Sequence, residues 1–171
     1  MKSEWQAQKD LIDTLPLHPE YPRKVWVVVE QPRSEAYRVS YDPECGVFSK
    51  TAYKSLLHAR GFRGVYGWIG GSGIPPEPHY DVLLLTEQVA LPGEIIEGWV
   101  SGVFFRRDGD HKFVAMDEEF RRKTGNADIQ SLKKEESEEL LRLYPEVREG
   151  EGWFGADVAR DYLANNSPVH S

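Results

Sequence analysis

Apolar residues in this chain recur first at every second position and later at every third or fourth, which divides the sequence into a β-rich part and a helical part. The segment KVWVVVEQP (24–32) is rich in β-branched residues and stops at Pro32, which has no N–H to give to a ladder. AYRVSYD (36–42) alternates large apolar with polar groups, and PECG (43–46) supplies turn chemistry before VFS, which predicts a hairpin. Further strands are predicted within GVYGWIGGSG (64–73), YDVLLLTE (80–87), EIIEGWVSGVFFRRD (94–108) and HKFVAMD (111–117), separated by proline and glycine. Several short strands punctuated by turns imply a barrel or a sandwich. From Ser131 the period lengthens: in SLKKEESEELLRLYPEV, Leu132, Leu140, Leu141 and Tyr144 fall on one helical face, Ser131 stands where a cap is wanted, and Pro145 ends the helix. GADVARDYLANN (155–166) predicts a short terminal helix, and neither an internal repeat nor a low-complexity linker interrupts the pattern.

Composition narrows the class. With 171 residues, 40% of them hydrophobic and 12% aromatic, the chain is expected to build one sizeable core and one domain. A net charge of -7 and a pI near 5.3 argue against a general nucleic-acid or membrane-surface binder, since such proteins need excess cations. The single cysteine, Cys45, has no partner for an intramolecular disulfide, and Met1-Lys2-Ser3-Glu4-Trp5 opens no apolar signal segment, so a reducing cytoplasm is expected. No apolar run approaches a membrane span; Val82 to Leu85 is strand-sized.

The candidate chemistry is acidic. In DGDHK (108–112), Asp108 and Asp110 stand two apart, so an extended chain would present both carboxylates on one side, a donor set that suits a hard cation; the same Asp-Gly-Asp is also ordinary hairpin-turn chemistry. Glu30 closes the first strong strand and is either a ligand or a solvated strand end. GGSG (70–73) lacks the Lys-Ser/Thr and helix start of a phosphate cradle and reads as a flexible hairpin. The pairs Arg106-Arg107 and Arg121-Arg122 with Lys123 read as solvated faces.

The order of the segments says more than any one of them. VVVEQP, YRVSYDPECG, VYGWI, YDVLLL, LPGEIIEGWVSGVFFRRDGDHKFVAM and LLRLYPEV, in that succession, resemble the soluble, Mg²⁺-dependent inorganic pyrophosphatase family from Val25 to Asp161. The most specific stretch is Leu91 to Met116, with Pro92-Gly93, Ser101-Gly102-Val103, Asp108 and Asp110-His111-Lys112. The resemblance implies an α+β, mainly β fold: a small five-stranded, OB-like barrel flanked by C-terminal helices, forming a single domain over 1–171. It also implies an acidic cavity that holds Mg²⁺ and pyrophosphate, and assembly into a homo-oligomer. Such metals lower the pKa of the attacking water and absorb charge on the leaving phosphate. Carried over position by position, Glu30, Asp81, Asp108 and Asp110 match metal ligands. Tyr66 matches a tyrosine near the nucleophile, and Lys112 and Tyr144 match phosphate contacts. Arg38 stands for a phosphate-binding lysine with its charge retained, and Lys50 or Lys54 stands for an arginine.

One stretch departs from the family. Where it writes Asp-x-Asp-x-x-Asp, this chain writes Pro76-Glu77-Pro78-His79-Tyr80-Asp81, so only the third acid remains. The lysine expected after the late tyrosine is replaced by Pro145. Glu77 and His79 are the candidate substitutes, and histidine would favour Mn²⁺ or Zn²⁺ over Mg²⁺. The two prolines predict an extended, preset loop that holds Asp81 at the strand start. Two functions follow from this reading: a divergent metal-dependent diphosphate hydrolase of low rate, or a catalytically degenerate protein that binds phosphate or nucleotide, or another protein.

Overall fold

A computed structural model describes residues 2–168. A short strand β1 (Glu4–Gln6) and helix α1 (Lys9–Thr14) precede β2 (Lys24–Gln31), β3 (Tyr37–Asp42) and β4 (Val47–Lys54). After the single-turn helix α2 (Leu56–Ala59) come β5 (Val65–Ile69), β6 (Asp81–Leu85), β7 (Ile95–Phe105) and β8 (Lys112–Met116). The last part holds α3 (Glu118–Thr124), a 3₁₀ turn (Ile129–Ser131), α4 (Lys134–Leu143), β9 (Gly152–Gly155) and α5 (Ala156–Asn165).

Five strands in the order β2-β5-β6-β8-β7 close into a barrel because β7 returns to pair with β2. The β6–β8 pair is parallel and the other pairs are antiparallel. Strand β7 can serve several neighbours because it is long and its register shifts between Val100 and Gly102. Its first half pairs with β2, and its second with β8 and with the extra strand β9. The predicted 36–48 hairpin is present as β3–β4, to which β1 adds a third strand.

The barrel strands read as continuous apolar runs because both of their faces are buried. Val25, Val27, Val82, Leu84, Phe113 and Ala115 fill the interior together with Ala159 and Leu163 of α5. The alternate residues Leu83, Leu85, Val114 and Met116 face outward and are covered by Leu140 and Leu143 of α4.

Two details of the helical part differ from expectation. Helix α4 begins at Lys134, after the 3₁₀ turn that contains Ser131, and the Glu136 carboxylate accepts the Lys133 N–H at 3.0 Å where Ser131 was expected to cap. The face that packs on the barrel carries Leu140 and Leu143, three apart, while Leu141 is turned away and 51% exposed. Among the described residues no helix is long and apolar enough to cross a membrane.

Candidate active site

Asp81 opens β6 and Lys112 opens β8, and the parallel register sets them side by side. Strand alternation turns both away from the barrel interior, and Tyr66 joins them from the same face of β5, where it pairs with Leu83. Lys112 Nζ donates to Asp81 Oδ2 at 2.6 Å and to Asp110 Oδ2 at 3.1 Å. His79 Nε2 lies 2.9 Å from Asp81 Oδ1, and its Nδ1 lies 2.7 Å from the Glu77 carbonyl. Both ring nitrogens thus face acceptors, which only the imidazolium satisfies.

The titration of these groups follows from their contacts. Burial alone would push the Asp81 carboxyl up, but the hydrogen bonds from His79 and Lys112 and the Lys112 charge outweigh it and hold it well below the usual carboxylate range. Burial would lower the His79 pKa, yet its bonds to Asp81 and the Glu77 carbonyl raise it. Asp110 moves upward, by burial and by its contact with the Asp81 carboxylate, so the two acids are driven apart. Burial raises the phenol of Tyr66 well above 10, helped by the neighbouring Asp81 and Glu30.

These residues form one wall of a cavity of about 560 Å³ that also receives Glu30, Arg38, Arg60, Arg106 and Tyr144. Glu30 reaches it through a β-bulge: Val29 pairs with Gly67 and Gln31 with Tyr66, which leaves Glu30 unpaired and re-aimed. Burial, reinforced by the Asp81 charge, pushes its carboxyl up to about 7. Arg38 is held by its backbone neighbours. The buried Gln31 amide accepts the Val39 N–H at 2.8 Å and donates to the Tyr37 carbonyl at 3.1 Å and the Glu35 carbonyl at 3.0 Å. Gln31→Ala would strand these groups, and we expect a loss of about 2 kcal/mol in urea unfolding. An unchanged midpoint would show that the β2–β3 connection is held by something else.

Of the residues singled out in the sequence, Glu30, Arg38, Tyr66, His79, Asp81, Asp110, Lys112 and Tyr144 line this cavity. Four others lie elsewhere, among them Lys54, which ends β4 opposite Tyr37. Asp108 Oδ1 accepts the Asp110 N–H at 2.9 Å, and its side chain faces a second cavity. Lys50 pairs with Glu35 at 2.8 Å. Glu77 meets the site only through its carbonyl to His79. Arg60 and Arg106 were missed as site residues; the one sequence signal was that Arg106 directly precedes the Arg-Asp-Gly-Asp turn.

The 70–80 connection is the expected hairpin between β5 and β6, but it is not extended. The Ser72 hydroxyl donates to the Ile69 carbonyl at 2.6 Å and accepts the Tyr80 N–H at 3.1 Å, while Glu77 N–H donates to the Ile74 carbonyl at 2.9 Å across a turn at Pro75 and Pro76. Gly73 adopts φ +136°, and a Cβ there would meet the Pro78 carbonyl oxygen at 1.9 Å. The turn leaves Pro76 in the cavity wall, where the resemblance places a carboxylate.

This donor set does not fit a site for several Mg²⁺ ions. Among the described residues no group of three or more His, Cys, Asp or Glu side chains is arranged to hold a metal. Asp81 and Asp110 instead share the Lys112 ammonium. With Arg38, Arg60, Arg106 and Lys112 set against Glu30, Asp81 and Asp110, the cavity carries more cations than acids and suits a polyanion directly.

No protein-family model matches the chain. Two curated proteins are similar to it over most of their length. The inorganic pyrophosphatase of Thermus thermophilus is 27% identical over 160 residues, 90% of each chain. That of Halobacterium salinarum is 27% identical over 173 residues, 94% of this chain and 96% of its own. Among solved structures, an inorganic pyrophosphatase from Neisseria gonorrhoeae superposes with a TM-score of 0.70 at 21% identity, covering 91% of this chain and 95% of its own. Along about nine tenths of its length the chain is thus similar to inorganic pyrophosphatases, in sequence to two curated ones and in fold to solved ones.

Proposed function

We propose that the protein is a diphosphate hydrolase that converts pyrophosphate to two phosphates at a low rate in the 560 Å³ cavity. The observation that carries this reading is the convergence of Arg38, Arg60, Tyr66, Arg106, Lys112 and Tyr144 around Asp81 and Asp110, in a chain whose net charge is -7. A fixed cluster of cations in an acidic protein is matched to an anion of high charge density.

In the reaction, the oxygen of water bonds to one phosphorus as that atom's bond to the bridging oxygen breaks. The two protons of water end one on each phosphate. Arg38 is suited to take two oxygens of one phosphate in its fork, and Lys112 to neutralise charge that develops on the bridge. Asp81, kept anionic by His79 and Lys112, is a weak base and serves to orient the water. Glu30, with its carboxyl near pH 7, is the better group to carry a proton. The low rate follows from Pro76 and Pro78, which supply no carboxylate where the resemblance expects two; a missing preorganised group typically lowers turnover by about two to four orders of magnitude.

Phosphate release from pyrophosphate, measured with Mg²⁺, Mn²⁺ or Zn²⁺ and with a chelator, tests the reading. We expect slow turnover under at least one condition and a KM raised about tenfold, or about 1.4 kcal/mol of binding, by Arg38→Ala. The absence of release under every condition, with pyrophosphate still bound in calorimetry, would favour the binding-module reading. We place the protein in a reducing compartment, in keeping with its exposed, unpaired Cys45, and assign it a homo-oligomeric state that light scattering reads directly.

A further inference from the structure

We propose that a second cavity beside the first accepts a third phosphoryl group, so that the protein binds linear triphosphates more tightly than diphosphate. The inference rests on the diphosphate reading of the first cavity. The second cavity, of about 590 Å³, shares Arg60, Arg106 and Tyr144 with the first, which sets the two side by side. It adds two arginines of its own, Arg107 and Arg148.

Glu151 brings these two together. Its carboxylate accepts the Arg107 N–H at 3.0 Å and the Arg148 N–H at 3.1 Å, which clasps two loops side by side and lowers its own pKa. The backbone groups are thereby satisfied; among the described residues neither guanidinium makes a hydrogen bond or a close ion pair, and the Arg148 charge adds to the lowering of the Glu151 pKa. The acids that share the cavity are Asp108, Glu146 and Glu151; Asp108 caps the turn at Asp110 and lies 3.7 Å from Arg106.

The lining favours phosphate over a nucleobase. The Tyr144 ring stacks on Phe104 at 4.8 Å and 11°, Trp153 lies 5.9 Å away, and the Arg106 guanidinium sits over the ring at 5.9 Å. Phe104 is buried beneath Tyr144 and Trp153. The aromatic faces that would stack on a base are occupied, whereas the unpartnered guanidinium forks match phosphate oxygens.

Calorimetric titration of the whole protein with sodium tripolyphosphate, adenosine triphosphate and pyrophosphate tests this. Wild type should bind tripolyphosphate at least tenfold more tightly than pyrophosphate. In Arg107→Ala/Arg148→Ala that advantage should vanish, while pyrophosphate affinity stays within twofold; the paired lysine variant should retain most of it. A parallel loss for adenosine triphosphate would show that a nucleotide can supply the third phosphate, and a loss confined to tripolyphosphate would identify the free chain. Equal wild-type affinity for pyrophosphate and tripolyphosphate, or an equal loss for both in the double variant, would overturn the inference. Absent pyrophosphate hydrolysis with the calorimetric difference intact would sink the hydrolase reading and leave this one standing.

Discussion

Lys112→Met is expected to lower the free energy of unfolding by about 3–5 kcal/mol, because it leaves two carboxylates in the cavity without their shared cation. Lys112 and Asp81 are each 7% exposed, and their 2.6 Å hydrogen bond spans the parallel β6–β8 pair. Methionine keeps the volume and the apolar stem, so the loss would report the charge and not the packing. The same substitution should reduce phosphate release at least a hundredfold, since among the described residues Lys112 alone bonds both Asp81 and Asp110, His79 reaching only Asp81. Urea unfolding near neutral pH reads the first effect. A change below about 1 kcal/mol would mean that the acids are satisfied without Lys112.

Glu30→Gln should do the opposite and stabilise the protein above neutral pH. The Glu30 carboxyl is raised from 4.5 to about 7 in the folded state, chiefly by burial. Below pH 4.5 it is protonated whether the chain is folded or not, and it contributes no pH dependence. Between 4.5 and 7 the unfolded chain ionises first, so stability falls as pH rises, and above 7 the penalty is complete. The shift corresponds to about 3 kcal/mol, which glutamine avoids. Melting curves of both proteins at pH 5 and pH 8 should therefore diverge only at the higher pH, by roughly 5–10 °C. A constant offset at both values would place the effect in packing. Phosphate release should fall in the variant, as it does when stability is gained by removing a strained functional group.

The barrel was legible because strands buried on both faces cannot avoid continuous apolar runs; β2, β6 and β8 announce themselves in VWVVV, DVLLL and KFVAM. Strand β1 and helix α1 were not, since EWQ and KDLIDT are short and each buries a single side chain, Trp5 and Ile12, against partners distant in sequence. Two-residue spacing misled at Asp108 and Asp110. It assumes an extended chain, but Gly109 adopts φ +85° and the intervening turn sends the two carboxylates to different cavities. Asp81, Lys112 and Tyr66 were found by their order along the chain, and strand parity explains why they meet. Arg60 and Arg106 had no such signal, because a long cation at a strand or helix end reaches many places and its spacing fixes none.

The cavity draws Glu30 from β2, Arg38 from β3, Tyr66 from β5, Asp81 from β6, Lys112 from β8 and Tyr144 from the end of α4. Those positions are spread over more than a hundred residues, and the Asp81–Lys112 contact lies across a parallel pair that brackets the whole of β7. During synthesis, then, the nascent chain has no anion site while its first three strands leave the ribosome, and none until α4 has followed. Non-local pairings of this kind form slowly, and domains fold as units once complete. Premature termination anywhere before Tyr144 would yield polypeptides without a complete anion site, and since Ala159 and Leu163 of α5 also fill the barrel interior, binding appears only together with the finished fold.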